Sequence, residues 1–395
     1  MNDLLSKSAL KIGNVTTDFN RYLYERINYE SKLISIKGSR GSGKTTLLLQ
    51  IGARLKHKKT LYVALDDLFF SGITLYDLAS QFYKMGGQLL LLDEVHKYPD
   101  WSREIKLIYD DFSDLQTIFT SSSILDIYRG ESDLSRRVVA YQLHEMSFRE
   151  YLLLNHKIKI EAIDYNLLLT KHQEIGISIL QNFKPFQYFD GYLRHGAYPY
   201  FDGDEAIYYQ KLKQTINLIL EVDLPAVQNI DYVSITKIKR LLHVLSANVP
   251  FTPNISSLSE KIGLHRNNLV QALHWLAKAY LIHIYFKSGK SIGILNKPDK
   301  IWMHNPNLSY SLSQDNTDIG NKRESFFLSQ VSVDHEVSIP ESGDFLLDGK
   351  HYFEVGGRNK SRKQIEGVGN AYVVKDEIEL GSDNVIPLWM FGLLY

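Results

Sequence analysis

Residues Gly38-Ser39-Arg40-Gly41-Ser42-Gly43-Lys44-Thr45 carry the spacing G-x-x-x-x-G-K-[ST], a residue set suited to holding a row of phosphate groups. Glycine lets the backbone turn tightly and aim several N–H groups at phosphate oxygens, and a following helix N-terminus adds a positive end. Lys44 is read as bridging β- and γ-phosphates, Thr45 as placing its hydroxyl on Mg²⁺, and Thr46 as completing the set. About 50 residues downstream the apolar run Gln88-Leu89-Leu90-Leu91-Leu92 ends in Asp93-Glu94. A buried parallel strand reads as such a run and opens at its carboxyl end into a ligand crevice. Asp93 there is expected to hold Mg²⁺, mainly through water, and Glu94 to orient and deprotonate an attacking water.

These groups need a scaffold. Lys32 to Ile36 reads as a strand before the glycine loop and Thr46 to Ile51 as a helix after it, the context the motif requires. Thr60 to Leu65 and Gln116 to Phe119 read as further strands, with helical patterns from Thr74 to Lys84 and Trp101 to Asp111 between them. Alternating strands and helices predict an α/β fold with a parallel sheet covered on both faces. The hydroxyls Thr120-Ser121-Ser122-Ser123 fall where a γ-phosphate sensor is expected. Ser121 or Ser122 is the candidate, with Ser122 placed in the catalytic set, although a strand cap or helix N-cap suits either serine equally. One arginine of Arg136-Arg137 is a candidate for neutralising transition-state charge, from its own subunit or a neighbour; an exposed surface pair suits them equally. His96 follows Glu94 closely enough to touch the site, but is read first as a helix-start or packing residue.

The chain has 395 residues, 44% hydrophobic and 23% charged, which predicts several globular domains. Lacking cysteine, it has no disulfides, thiolate nucleophiles or cysteine-bound metals. Met1 to Lys11 does not read as a secretory signal, and no apolar run reaches the roughly 18 to 20 residues of a membrane helix. A soluble cytoplasmic protein without a membrane partner is the expectation. With a formal net charge of zero, any nucleic-acid contact has to come from a local basic surface.

Residues 44 to 48 (Lys-Thr-Thr-Leu-Leu), 91 to 101 (Leu-Leu-Asp-Glu-Val-His-Lys-Tyr-Pro-Asp-Trp), 120 to 123 and 146 to 151 (Met-Ser-Phe-Arg-Glu-Tyr) together resemble a known family. It comprises prokaryotic AAA-type P-loop ATPases whose C-terminal module is a domain of unknown function. Gly196-Ala197-Tyr198-Pro199 is similar to that family's Gly-Gly-Phe-Pro element. The resemblance implies ATP and Mg²⁺ as cofactors, ATP hydrolysis to ADP and phosphate, and a nucleotide-driven conformational cycle. It also implies that Arg137 is the matching arginine of its pair.

Four domains are expected: an ATP-binding domain over 1–150, a helical lid over 151–235, a winged helix-turn-helix over 236–312, and an α+β module over 313–395. In the third, Leu258 and Ile262 share one helix face, Gly263 makes a turn, and Leu269, Leu273 and Leu276 line a second helix. Leu281 to Tyr285 and Lys300 to Met303 read as a wing around a turn at Ser288-Gly289-Lys290. His265, Arg266, Asn267, Asn268, Gln271 and Lys278 suit base edges and phosphates, so DNA is the expected partner, with protein docking as the rival. In the fourth, a helix bearing Glu324, a strand at Asp344 and a strand at Glu354 resemble the restriction-endonuclease-like fold. Gly356 stands where that fold carries its lysine, and Lys360 is the displaced alternative. A degenerate nuclease fold kept for binding or assembly is the preferred reading, and a polar helix is expected near Ser361 to Gly369. The functional expectation is a Mg²⁺-dependent ATPase driving a DNA- or protein-binding module. The rivals are a nucleotide-gated DNA switch with little turnover and an ATP-regulated nuclease. A homo-oligomer is left open.

Overall fold

The computed structural model describes residues 1–121, 134, 136–227, 230–247, 251–287, 297–313 and 319–395. They divide into two compact units, Met1–Glu145 and Met146–Tyr395.

In the first unit the apolar runs became strands β1 (Leu33–Gly38), β2 (Thr60–Ala64), β3 (Leu89–Asp93) and β4 (Gln116–Ser121), with β3 and β4 buried throughout. A further strand, β5 (Val139–Leu143), completes a parallel sheet of order β2-β3-β4-β1-β5. It has no apolar run, because only Leu143 of its five residues is buried. Helices α1 (Asn2–Gly13), α2 (Leu23–Arg26), α3 (Lys44–Arg54), α4 (Leu75–Lys84) and α5 (Trp101–Asp111) accompany the sheet. α4 turns Leu75, Leu78, Ala79 and Phe82 inward and α5 turns Trp101, Ile105 and Ile108, the helical spacing of apolar residues that covers a sheet. α1 lies against edge strand β2, where Ser8 Oγ accepts a hydrogen bond from the Tyr62 amide (2.8 Å). An otherwise open edge donor is thereby satisfied.

The order of strands positions the chemistry. β4 lies between β1 and β3, pairing Ile36 with Thr120 on one side and Leu92 with Phe119 on the other. The glycine loop, the hydroxyl-bearing tip of β4 and the Asp93-Glu94 tip of β3 therefore open on the same, carboxyl-terminal rim.

The second unit begins with helices α6 (Phe148–His156), α7 (Tyr165–Leu180), α8 (Phe186–His195), α9 (Glu205–Leu218) and α10 (Tyr232–Ala247). Then come α11 (Ile255–Ile262) and α12 (Arg266–Lys278), with Gly263 between them at φ +75°, the left-handed region that suits glycine. The antiparallel pair β6 (Ile282–Tyr285) and β7 (Lys300–Met303) follows; the expected turn at Ser288-Gly289-Lys290 lies outside the described residues. Next are α13 (Pro306–Ser313) and α14 (Ile319–Val331).

A buried amide explains the Gly196-Ala197-Tyr198-Pro199 element. Asn307 Oδ1 accepts from the Ala197 amide (2.9 Å) and the Tyr208 hydroxyl (2.5 Å), and its Nδ2 donates to the carbonyls of Tyr192 and Leu193. Gly196 has no side chain because a Cβ there would come within 2.3 Å of the Tyr192 ring. The element ties the end of α8 to α13, and its role is architectural.

A second sheet closes this unit: β8 (Val337–Ser338), β9 (Phe345–Leu347), β10 (His351–Gly356), β11 (Ala371–Lys375) and β12 (Val385–Pro387), in the order β12-β11-β10-β9-β8. β8 to β10 are antiparallel neighbours and β10 to β12 are parallel. Between β10 and β11 the expected polar helix is only a single turn, Lys363–Ile365, whose Ile365 is buried.

Candidate functional site

Gly41 and Gly43 sit at φ +85° and +96°, conformations that a side chain would strain, and a Cβ on Gly38 would meet the Leu143 carbonyl at 2.3 Å. The glycines of the loop are therefore required by its shape. Lys44, 4% exposed, donates to the carbonyls of Gly38 (3.0 Å) and Ser39 (2.8 Å). The Ser39 and Ser42 hydroxyls are buried with no hydrogen-bond partner among the described residues. Buried orphan hydroxyls are uncommon and mark places where a polar ligand belongs. A polyanion fits this loop.

Arg21 stands outside the motifs that the sequence carries. It is 4% exposed and donates to the Ser42 carbonyl and, at 2.7 Å, to the His144 carbonyl. One guanidinium thus fastens the glycine loop to the end of β5 through charge-assisted bonds, the stronger class.

Asp93 is 3% exposed and receives three hydroxyls. Thr45 reaches Oδ2 at 2.8 Å, Tyr62 reaches Oδ2 at 2.9 Å, and Thr120 donates to Oδ1. Burial, and then the charge of Asp93, push the Tyr62 phenol well above its usual range, so it remains a donor. Thr45 and Asp93, the expected metal pair, are brought together directly. Their arrangement suits a hard divalent cation: the Thr45 oxygen keeps lone pairs while its proton faces Asp93.

Glu94 follows in the left-handed region at φ +54°, sparsely populated for a side-chain-bearing residue, and its amide donates to Thr120 Oγ1 (3.1 Å). His96 is more than a packing residue. Its Nε2 lies 3.5 Å from Glu94 Oε2 and its Nδ1 lies 3.2 Å from Ser121 Oγ, with only 3% of the side chain exposed. The ring links the β4 tip to the carboxylate expected to act as base. Ser122 lies outside the described residues; of its neighbours at the β4 tip, the Thr120 hydroxyl reaches Asp93 and the Ser121 hydroxyl reaches His96.

Arg137 is not part of this constellation. β5 runs parallel to β1, with Val139 opposite Ile34 and Leu143 opposite Gly38. Arg137 precedes β5 and so lies at the amino-terminal rim, roughly 20 Å from the loop at about 3.3 Å per residue. There its Nε and Nη2 donate to the two carboxylate oxygens of Asp110, at 2.9 and 3.0 Å. Its own subunit's phosphate site is out of reach.

In the second unit, His265 is the N-cap of α12, and Arg266, Asn267, Asn268 and Gln271 are exposed on its first turns. Lys278 is half-buried at its end. The carboxylates of the closing sheet also meet. Lys360 Nζ lies 2.6 Å from Glu354 Oε1 and 3.7 Å from Asp344 Oδ2, while Trp302 Nε1 donates to Glu324 (2.9 Å). The stem of Lys360 crosses Gly356 so closely that a Cβ there would come within 2.5 Å of Lys360 Cδ. Burial, with the Asp344 charge adding to it, pushes the Glu324 carboxyl up to about 7. Burial raises Glu354 as well, against the hydrogen bond from Lys360. Among the described residues no group of three or more His, Asp or Glu side chains is arranged to hold a metal ion. Also among them, no helix is long and apolar enough to cross a membrane.

Two family models match the chain: an AAA domain over residues 30–152 and a domain of unknown function, DUF8612, over residues 186–318. An uncharacterized protein of Methanocaldococcus jannaschii, MJ1637, is 30% identical over 328 residues, covering 75% of this chain and 67% of its own. Among solved structures, the Walker-type ATPase PABY2304 of Pyrococcus abyssi superposes with TM-score 0.43 at 12% identity, over 75% of this chain and 96% of that one. AMPPCP-bound DnaA from Aquifex aeolicus gives TM-score 0.27 at 17% identity, over 65% and 84%. The chain belongs to one family with the Methanocaldococcus jannaschii protein MJ1637, and its residues 30–152 are an AAA-type P-loop ATPase domain.

Proposed function

We propose that the protein hydrolyses ATP with Mg²⁺ and uses the cycle to drive a DNA-binding module in its second unit. The observation that carries the first half is the Thr45–Asp93 contact of 2.8 Å, with Glu94 as the next residue. Lys44, the loop amides and the Ser39 and Ser42 hydroxyls hold the phosphates. Thr45 and Asp93 would hold the cation, which when bound offsets the negative charge that develops in the transition state. Glu94 takes the proton of the attacking water, and His96 and the Thr120 hydroxyl hold Glu94 at its post. Any contribution from Arg137 comes from a second copy of the chain, and Ser122 stays the proposed γ-phosphate sensor.

Support for the DNA half comes from the α11–Gly263–α12 element followed by the β6–β7 pair, the order of a winged helix. Arg266, Asn267 and Gln271 are exposed on α12 and chemically suited to base edges and phosphates. ATP turnover measured with and without duplex DNA tests the coupling. Marked stimulation is the expected outcome. Tight ATP binding with negligible turnover in both conditions would favour a nucleotide-gated switch instead.

The closing sheet is proposed as a nuclease-like fold retained for binding, because the cation among its carboxylates is the Lys360 ammonium. Plasmid DNA incubated with Mg²⁺ or Mn²⁺ should therefore remain intact. Cleavage lost on Asp344→Ala or Glu354→Ala would reverse this reading and make the domain an active nuclease.

A further inference from the structure

Three hydroxyls from three elements converge on the Asp93 carboxylate, and two of them are explained already. Thr45 lies in the first turn of α3, where the phosphate motif ends, and Thr120 lies at the tip of β4. Tyr62 does not belong to either. It lies within β2, opposite Leu91 of β3, and its phenol crosses to Asp93 Oδ2 at 2.9 Å. An ionised carboxylate offers about four acceptor positions. Three hydroxyls occupy all but about one of them, which leaves room for a single water of a cation's shell.

Tyr62 is itself held by α1. Its amide donates to Ser8 Oγ at 2.8 Å, and the Lys11 ammonium lies 4.9 Å from the centre of its ring. We infer that Tyr62 is a positioning residue that orients Asp93 for the divalent cation, and that α1 thereby braces the metal end of the site. This inference rests on the Mg²⁺–ATP reading above. Groups that orient a metal-binding carboxylate commonly change metal affinity by about 10- to 100-fold when removed. Asp93 acts here through water, so the lower end applies.

Tyr62→Phe removes one oxygen and keeps the ring packed beneath α1. The test titrates Mg²⁺ into the full chain while following the affinity of a fluorescent ATP analogue, with direct Mn²⁺ binding by electron paramagnetic resonance as a second readout. Asp93→Asn serves as the positive control. In Tyr62→Phe the affinity without divalent cation should be unchanged, while the Mg²⁺ midpoint rises about tenfold. A merely structural tyrosine would not separate the two. If Asp93→Asn moves the midpoint and Tyr62→Phe stays within about twofold of the parent, the positioning role is wrong and the ATP reading stands. If nucleotide binding by the unaltered chain is indifferent to Mg²⁺, both fall.

Discussion

Glu94→Gln should bind ATP as tightly as the parent and release phosphate about 10²- to 10⁴-fold more slowly, the usual effect of removing a general base. The substitution is nearly isosteric and leaves the backbone contacts alone. The amide of residue 94 still donates to Thr120 Oγ1, and a glutamine strains the left-handed backbone no more than a glutamate does. What is lost is the ability to accept a proton. Nucleotide affinity and single-turnover phosphate release, measured on one preparation, separate the two effects. Undiminished release would show that the carboxylate beside His96 is not the base, and attention would move to water activation elsewhere.

Lys44→Ala should remove tight nucleotide binding. The ammonium is almost wholly buried and is held by the Gly38 and Ser39 carbonyls, so it already stands where phosphate oxygens would meet it. Removing one partner of a buried charge contact costs about 2–5 kcal/mol, which corresponds to roughly 30- to 4,000-fold in the dissociation constant. Isothermal titration with ATP and Mg²⁺ measures the loss. Lys44→Met, which keeps the buried stem, should lose affinity to the same extent with less effect on the melting temperature. A methionine variant that still binds tightly would place the phosphates elsewhere.

Part of this arrangement is legible in the sequence alone. Continuous apolar runs located β1 and β3, and the carboxylates at the end of β3 fall at a strand tip for the reason expected, that parallel strands open their ligand crevice there. Gly263 marked the turn between α11 and α12 because its left-handed backbone leaves few other choices. β5 was hidden, since an edge strand with one buried residue carries no hydrophobic signature. The side of the sheet on which Arg137 lies follows from the direction of that strand, which local sequence does not reveal. Arg21 and Tyr62 were hidden for another reason. Arg21 meets a carbonyl 123 positions away and Tyr62 a carboxylate 31 positions away, and no local spacing encodes either contact. His96 was close enough in sequence to be suspected, yet its orientation toward Glu94 depends on the short helical turn Val95–Lys97.

Arg137, paired with Asp110, stands at the amino-terminal rim of its sheet. A guanidinium stationed on the far rim of its own sheet has nothing to offer the nucleotide held by that molecule. If that charge ever meets a phosphate, the phosphate belongs to someone else, and specific activity would then fall on dilution in a way that a self-sufficient catalyst would not show.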